Sequence, residues 1–117
     1  MIVYPNCKIN LGLHILRKRA DGFHDLETVF YPIRFTDILE VIPDRNTKEQ
    51  SVQYTQSGLS IDGDPAANLC VRAYELLKKE YPRLPAVRIY LHKKIPTGAG
   101  LGGGSADASF TLSLLND

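Results

Sequence analysis

The sequence predicts a two-layer α+β domain, on three observations. The first half is dominated by short stretches of alternating polarity, which read as strands. A segment with helical spacing follows Asn68, and a second helical segment closes the chain after one more strand and a glycine-rich loop. The order strands, helix, strand, loop, helix suits a two-layer α+β packing better than the strict alternation of a parallel sheet. At 117 residues the chain can bury one real core, and two would be cramped.

Each element has its own signal. From Cys7 to Leu16, Ile9, Leu11, Leu13 and Ile15 alternate with Lys8, Asn10, Gly12 and His14, so the first set is expected on a buried face. Asp21-Gly22 marks the bend within RKRADGFH. Leu26–Phe35 is rich in Val, Ile, Tyr and Phe, and Ile38–Ile42 resumes the strand signal after a polar break at Thr36-Asp37. Pro43–Gln50 reads as a polar loop, Val52–Thr55 as a weak strand, and SGLSIDGDPAAN as a hairpin or loop. Asn68 is a favoured N-cap; Leu69, Ala73, Leu76 and Leu77 then follow a helical period that should end before Pro82. AVRIYLHK is a further strand, and Ser105–Leu115 a second helix. Its stripe of Leu112, Leu114 and Leu115 has no later element to cover it. The chain is therefore expected to be the front part of a longer protein, with self-association through that helix as a consequence.

Composition excludes some function classes. A net charge of +1 provides no basic field for nucleic acid. No apolar run reaches the roughly 20 residues of a membrane span. The opening MIVYPNCKIN lacks a signal-peptide core, and Cys7 and Cys70 lack metal-ligand spacing, so reduced thiols and a cytoplasmic location are expected.

The chemistry concentrates in KKIPTGAGLGGGSADASF. Five of the nine glycines lie between Gly98 and Gly104, just ahead of a helix. Such a loop leaves several backbone N–H groups around one point, and the helix dipole adds partial positive charge there, which suits phosphate. A Walker loop would need lysine before its serine, but Gly104 runs directly into Ser105. A dinucleotide fold would place the loop after its first strand, with an acid about 20 residues later, and neither holds. A protein-kinase glycine loop joins two strands, whereas SADASFTLSLL is helical in pattern.

PTGAGLGGGSADA resembles the second motif of the GHMP kinases (galactose, homoserine, mevalonate and phosphomevalonate kinases), whose Pro-x-x-x-Gly-Leu-Gly loop wraps the phosphates of ATP. PNCKINLGLHILRKRADGFHDLETVF resembles the first motif of one branch, and NLCVRAYELL that branch's first helix. The likeness covers Pro5 to about Leu115 with its blocks in the expected order. It implies a GHMP N-terminal domain over residues 1–117, similar to ribosomal protein domain 2, with a mixed, mostly antiparallel sheet and helices on one face. It also implies ATP and Mg²⁺ as cofactors, and a cytidine diphosphate-linked polyol as the phosphate acceptor.

The site residues follow from the same resemblance. Lys8 would stabilise charge on the transferring phosphoryl group, and Asn10 would orient the acceptor. Phe23 and His24 stand where the branch has a Tyr-His pair for cytosine; Phe23 keeps the stacking ring and lacks the hydroxyl. Phe30 would line the polyol end. Pro96, Thr97, Gly98, Ala99, Gly100, Leu101, Gly102, Gly103, Gly104, Ser105 and Ala106 would cradle the phosphates, with Ser105 also facing Mg²⁺. Asn68 and Lys93 would lie toward adenine. Asp107 poses a conflict, because an acid near a helix start repels a nearby triphosphate unless it aims away or a cation intervenes. The family's catalytic aspartate belongs to a GADVP-type motif not found in this sequence, so these residues alone are expected to be inactive. A non-catalytic nucleotide-binding module of the same family is the alternative reading.

Overall fold

Strands β1 (Ile2–Val3), β4 (Ile38–Pro43), β5 (Val52–Gly58) and β6 (Val87–Lys93) form a four-stranded sheet in the order β1-β4-β6-β5. Between them in the chain, β2 (Asn6–Lys18) and β3 (His24–Thr36) pair as a separate two-stranded ribbon. The computed structural model describes residues 1–46 and 51–116, so residues 47–50 of the expected polar loop lie outside the described residues. Within the sheet β5–β6 is parallel and the other pairings are antiparallel, as the mixed, mostly antiparallel expectation requires.

Alternation decides which face of the sheet is covered. Leu39 and Val41 of β4 and Val87, Ile89 and Leu91 of β6 are buried, and the register sets Leu39 beside Leu91 and Val41 beside Ile89. Both helices, α1 (Leu69–Glu80) and α2 (Gly103–Asn116), pack on that face. Cys70 and Tyr74 from α1 enter the core, while Phe110, Leu114 and Leu115 from α2 close over it. Tyr74 is fully buried, and its hydroxyl donates to the Pro85 carbonyl, which removes the cost of burying it. Asn68 caps α1 as its residue type predicts, accepting the Cys70 N–H at 2.9 Å.

Two expectations are corrected. The stripe on the last helix is only partly free, since Leu114 and Leu115 pack against the core while Leu112 stays 37% exposed. Large apolar exposure lies instead on the ribbon, where Leu11, Leu13 and Ile15, expected on a buried face, are 51–65% exposed. The alternation made the strand correctly, but a register shift at Gly12 sets Leu11 opposite Val29 and Leu13 opposite Thr28. Leu11 therefore lies on one face of the ribbon and Leu13 and Ile15 on the other, and all three stay exposed. Among the described residues no helix is long and apolar enough to cross a membrane.

Candidate functional site

The loop from β6 to α2 owes its shape to glycine. Gly98, Gly100 and Gly102 sit at φ +71°, +73° and +72°, a region where a side chain would be strained, while Ala99 and Leu101 between them do not. Left-handed residues alternating with ordinary ones turn successive N–H groups into one concavity. Pro96 to Ser105, with Leu69, line such a concavity of about 270 Å³. The helix starts at Gly103, two residues earlier than its composition predicts. Ala106 N–H already bonds the Gly102 carbonyl at 3.0 Å, so the N–H groups of Gly103, Gly104 and Ser105 have no helical acceptor. Those donors and the helix dipole face the concavity, with the exposed Ser105 hydroxyl beside them.

Gly103 has a different task from the left-handed glycines. A Cβ there would lie 2.7 Å from Ile95 Cγ2 and 3.2 Å from Lys93 Nζ, so its bareness lets α2 settle on the end of β6. Gly104 has more room, its nearest neighbour being Leu69 Cδ1 at 3.5 Å.

Lys8 reaches this loop from the other end of the chain. Its ammonium donates to the Gly100 carbonyl at 2.8 Å and to Asn10 Oδ1 at 2.6 Å, and its backbone N–H donates to the Leu101 carbonyl at 3.0 Å. Asn10 is held in turn through Nδ2 to Thr28 Oγ1 at 3.0 Å. Phe30 pairs opposite Asn10, and the Lys8 ammonium stands 5.1 Å from the centre of its ring. Lys8, Asn10, Phe30 and the glycine loop therefore converge. Phe23 and His24 do not join them. His24 pairs with Lys18, ten positions beyond Lys8, roughly 30 Å along the strand at about 3.3 Å per residue. Asp21 shapes that turn, accepting the Phe23 N–H at 3.1 Å and pairing with Arg19 at 2.5 Å.

Beneath the loop lies a charge cluster that the sequence reading did not assemble. Lys93 is 1% exposed, and its ammonium sits between Asp37 and Asp107, at 2.8 Å from Asp107 Oδ2. Asp37 Oδ1 accepts the N–H groups of Lys94 and Ile95, at 2.5 and 2.8 Å. Burial pulls the Lys93 pKa down, but the two carboxylates outweigh it and hold the ammonium charged. Burial pushes Asp107 up to about 6, with Lys93 opposing only in part. Asp107 turns one oxygen, Oδ2, inward onto Lys93, while its Oδ1 is buried without a partner and the residue also lines a cavity beside the loop. Lys93 also departs from its expected part, because its charge is committed to this cluster and is not free for adenine. It and Asn68 do line a second cavity of about 150 Å³ that shares Leu69, Thr97 and Gly104 with the loop concavity. Asn68 Nδ2 also donates to the Tyr54 hydroxyl at 2.9 Å. Burial raises Tyr54, and it lifts the Cys70 thiol to about 11, so that Cys70 is no nucleophile at neutral pH. Asp37 is the missed residue. Its signal was the polar break between two apolar strands, which reads as a turn unless its burial is known.

For Mg²⁺ the donor set is small. Among the described residues no three His, Cys, Asp or Glu side chains cluster to hold a metal. Ser105 Oγ alone is an accessible oxygen at the helix start, which fits an ion carried in by phosphate oxygens and water, the usual habit of Mg²⁺.

Comparison with known proteins follows the same line. Residues 68–117, the segment holding α1, β6, the glycine loop and α2, match the family profile "GHMP kinases N terminal domain". That segment, 68–117, thus bears the GHMP kinase N-terminal signature. Over all 117 residues the chain is 57% identical to the 4-diphosphocytidyl-2-C-methyl-D-erythritol kinase of Cytophaga hutchinsonii, spanning 41% of that protein. Against the Bacteroides fragilis protein of the same name it is 59% identical and spans 42%. A crystal structure of 4-(cytidine 5'-diphospho)-2C-methyl-D-erythritol kinase superposes on 99% of the chain with a TM-score of 0.81 at 36% identity, covering 40% of that protein. Homoserine kinase from Cytophaga hutchinsonii matches 74% of the chain and 29% of its own at a TM-score of 0.59 and 17% identity, a likeness of fold alone. The chain thus spans about two fifths of the length of these curated kinases.

Proposed function

We propose that residues 1–117 form the nucleotide-binding N-terminal domain of a cytoplasmic kinase. It would transfer the γ-phosphoryl group of ATP to the 2-hydroxyl of 4-diphosphocytidyl-2-C-methyl-D-erythritol, in the non-mevalonate route to isoprenoids. The observation that carries this reading is the bond from the Lys8 ammonium to the Gly100 carbonyl, beside the free N–H groups of α2. It places a fixed cation at the rim of a phosphate-shaped concavity. Names borne by relatives at 57–59% identity supply the acceptor.

In this reading the N–H groups of Gly98–Ser105 hold the phosphates, and Asn68 borders the adenine end. Lys8 stabilises negative charge on the phosphoryl oxygens as the acceptor oxygen bonds to phosphorus and the bond to ADP breaks. Asn10 and Phe30 position the polyol. Ser105 would be the side chain to hold a Mg²⁺ ion carried in with the nucleotide, which would supply charge neutralisation. Cytosine is assigned to stacking on Phe23 and hydrogen bonding with His24, both exposed on the ribbon. Since they stand roughly 30 Å along the strand from Lys8, this assignment requires the ribbon's far end to bend back toward the loop. The proton leaving the hydroxyl is assigned to a carboxylate outside these residues, so the chain is expected to bind without turning over.

The test is calorimetric titration with a non-hydrolysable Mg-ATP analogue and with the cytidine diphosphate-linked polyol. Binding of the analogue that weakens in Lys8→Met supports the nucleotide site, and no binding refutes it. His24→Ala should weaken the cytidine ligand more than the analogue. Equal loss of both, or loss of neither, removes His24 from the acceptor site.

A further inference from the structure

We propose that Asp37, Lys93 and Asp107 are positioning residues, a buried pin that holds the phosphate loop and the strand of Lys8 in one frame. The inference rests on the nucleotide reading above and extends it to residues that touch no ligand.

Each bond of the cluster ties down a different part of the site. Asp37 is fully buried; its own N–H donates to the Pro5 carbonyl at 3.0 Å, three residues ahead of Lys8. Through Oδ1 it takes the N–H groups of Lys94 and Ile95, where the chain leaves β6 for the loop. Its second oxygen takes the Lys93 ammonium, which also bonds Asp107, one helical turn beyond Gly103. Gly103 leaves just enough space for this, since a Cβ there would stand 3.2 Å from the Lys93 nitrogen. One ammonium thus joins the β3–β4 corner, the start of the loop and the first turns of α2. A mere stability device would not need to span the three segments that shape the concavity. Two well-packed apolar side chains stabilise a core as well as a buried ion pair does.

The deciding variant is Asp107→Leu, which frees α2 from the pin while leaving a balanced Lys93–Asp37 pair. Lys93→Met would leave two buried carboxylates and risks unfolding the chain. Asp107→Asn keeps an oxygen for Lys93 and serves as the conservative rescue. Val87→Ala, at the opposite end of β6, is a control that lowers stability without touching the cluster. In calorimetry with the Mg-ATP analogue, Asp107→Leu should bind about tenfold more weakly, the worth of one charge-assisted hydrogen bond. Asp107→Asn and Val87→Ala should stay within about threefold of the parent. Parent-like binding by Asp107→Leu, or an equal loss in Val87→Ala, overturns the proposal. Hydrogen exchange at the Ala106 amide, bonded to the Gly102 carbonyl, gives a readout without nucleotide. If the parent fails to bind the analogue, the nucleotide reading falls. Faster Ala106 exchange in Asp107→Leu than in Val87→Ala would still uphold the pin, and unchanged exchange would overturn it.

Discussion

Replacing Asp107 with Asn should make the chain more stable, and the gain should depend on pH in a defined way. The Asp107 carboxyl moves from an ordinary 3.8 to about 6 on folding, because burial disfavours its charge more than Lys93 favours it. A raised carboxyl pKa means that the folded state holds the proton more tightly than the unfolded chain. Its contribution is therefore full below pH 3.8 and is lost as pH rises through 6. At neutral pH the ionised group costs about 3 kcal/mol, at 1.36 kcal/mol per pKa unit. Asn resembles the protonated acid in shape and charge, so it removes that cost. In urea unfolding followed by circular dichroism without divalent cations, the variant should exceed the parent by up to about 3 kcal/mol near pH 7.5. The difference should shrink to about 0.5 kcal/mol at about pH 4 and vanish below about pH 3, and comparing the two proteins cancels titrating groups that do not touch Asp107. A difference that does not vary with pH refutes the reasoning. So does a less stable variant near neutrality, which would mean that the pairing with Lys93 outweighs desolvation.

Other consequences follow from the same geometry. Gly103→Ala should lose about 1–2 kcal/mol despite alanine's better helix propensity, because the added methyl meets Ile95 at 2.7 Å. Gly104→Ala, with 3.5 Å of clearance, should unfold at or above the parent's temperature in the same thermal melt. Asn68→Ala should cost about 1–2 kcal/mol by denaturant titration, since it removes the cap on the Cys70 N–H. Lys8→Met should leave stability within about 1 kcal/mol, because its bonds lie near the surface. The same change should weaken the Mg-ATP analogue by about tenfold through loss of the cation, read by calorimetry.

How far the sequence carried the fold varies with what each signal measures. Asn68 and the spacing after it located the start of α1 to the residue and bounded its end, because capping and periodicity are local. The start of α2 was missed by two residues, since Gly103 and Gly104 look like loop until Ile95 and Lys93 are seen against them. Alternation found β2, yet it hid the register shift at Gly12 that moves Leu13 and Ile15 to the other face, and it does not tell whether anything covers either face. The loop concavity and Lys8 were legible as motifs, while their contact across 92 residues was not. Asp37 and Asp107 were opaque for the same reason. Each reads locally as a turn or helix-start acid, and only the third dimension brings Lys93 between them.

That contact across 92 residues also orders events during folding. Lys8 is synthesised 92 residues ahead of Gly100, and so well before the glycine loop and α2. Closing so long a loop is slow and entropically costly, so the two sides of the concavity meet late, after local helices and hairpins have formed. A ligand that needs both sides binds only the finished fold and draws the equilibrium toward it, by about 2.7 kcal/mol when present at a hundred times its dissociation constant. A nascent chain in which the glycine loop and α2 are not yet made has the Lys8 ammonium and nothing for it to hold.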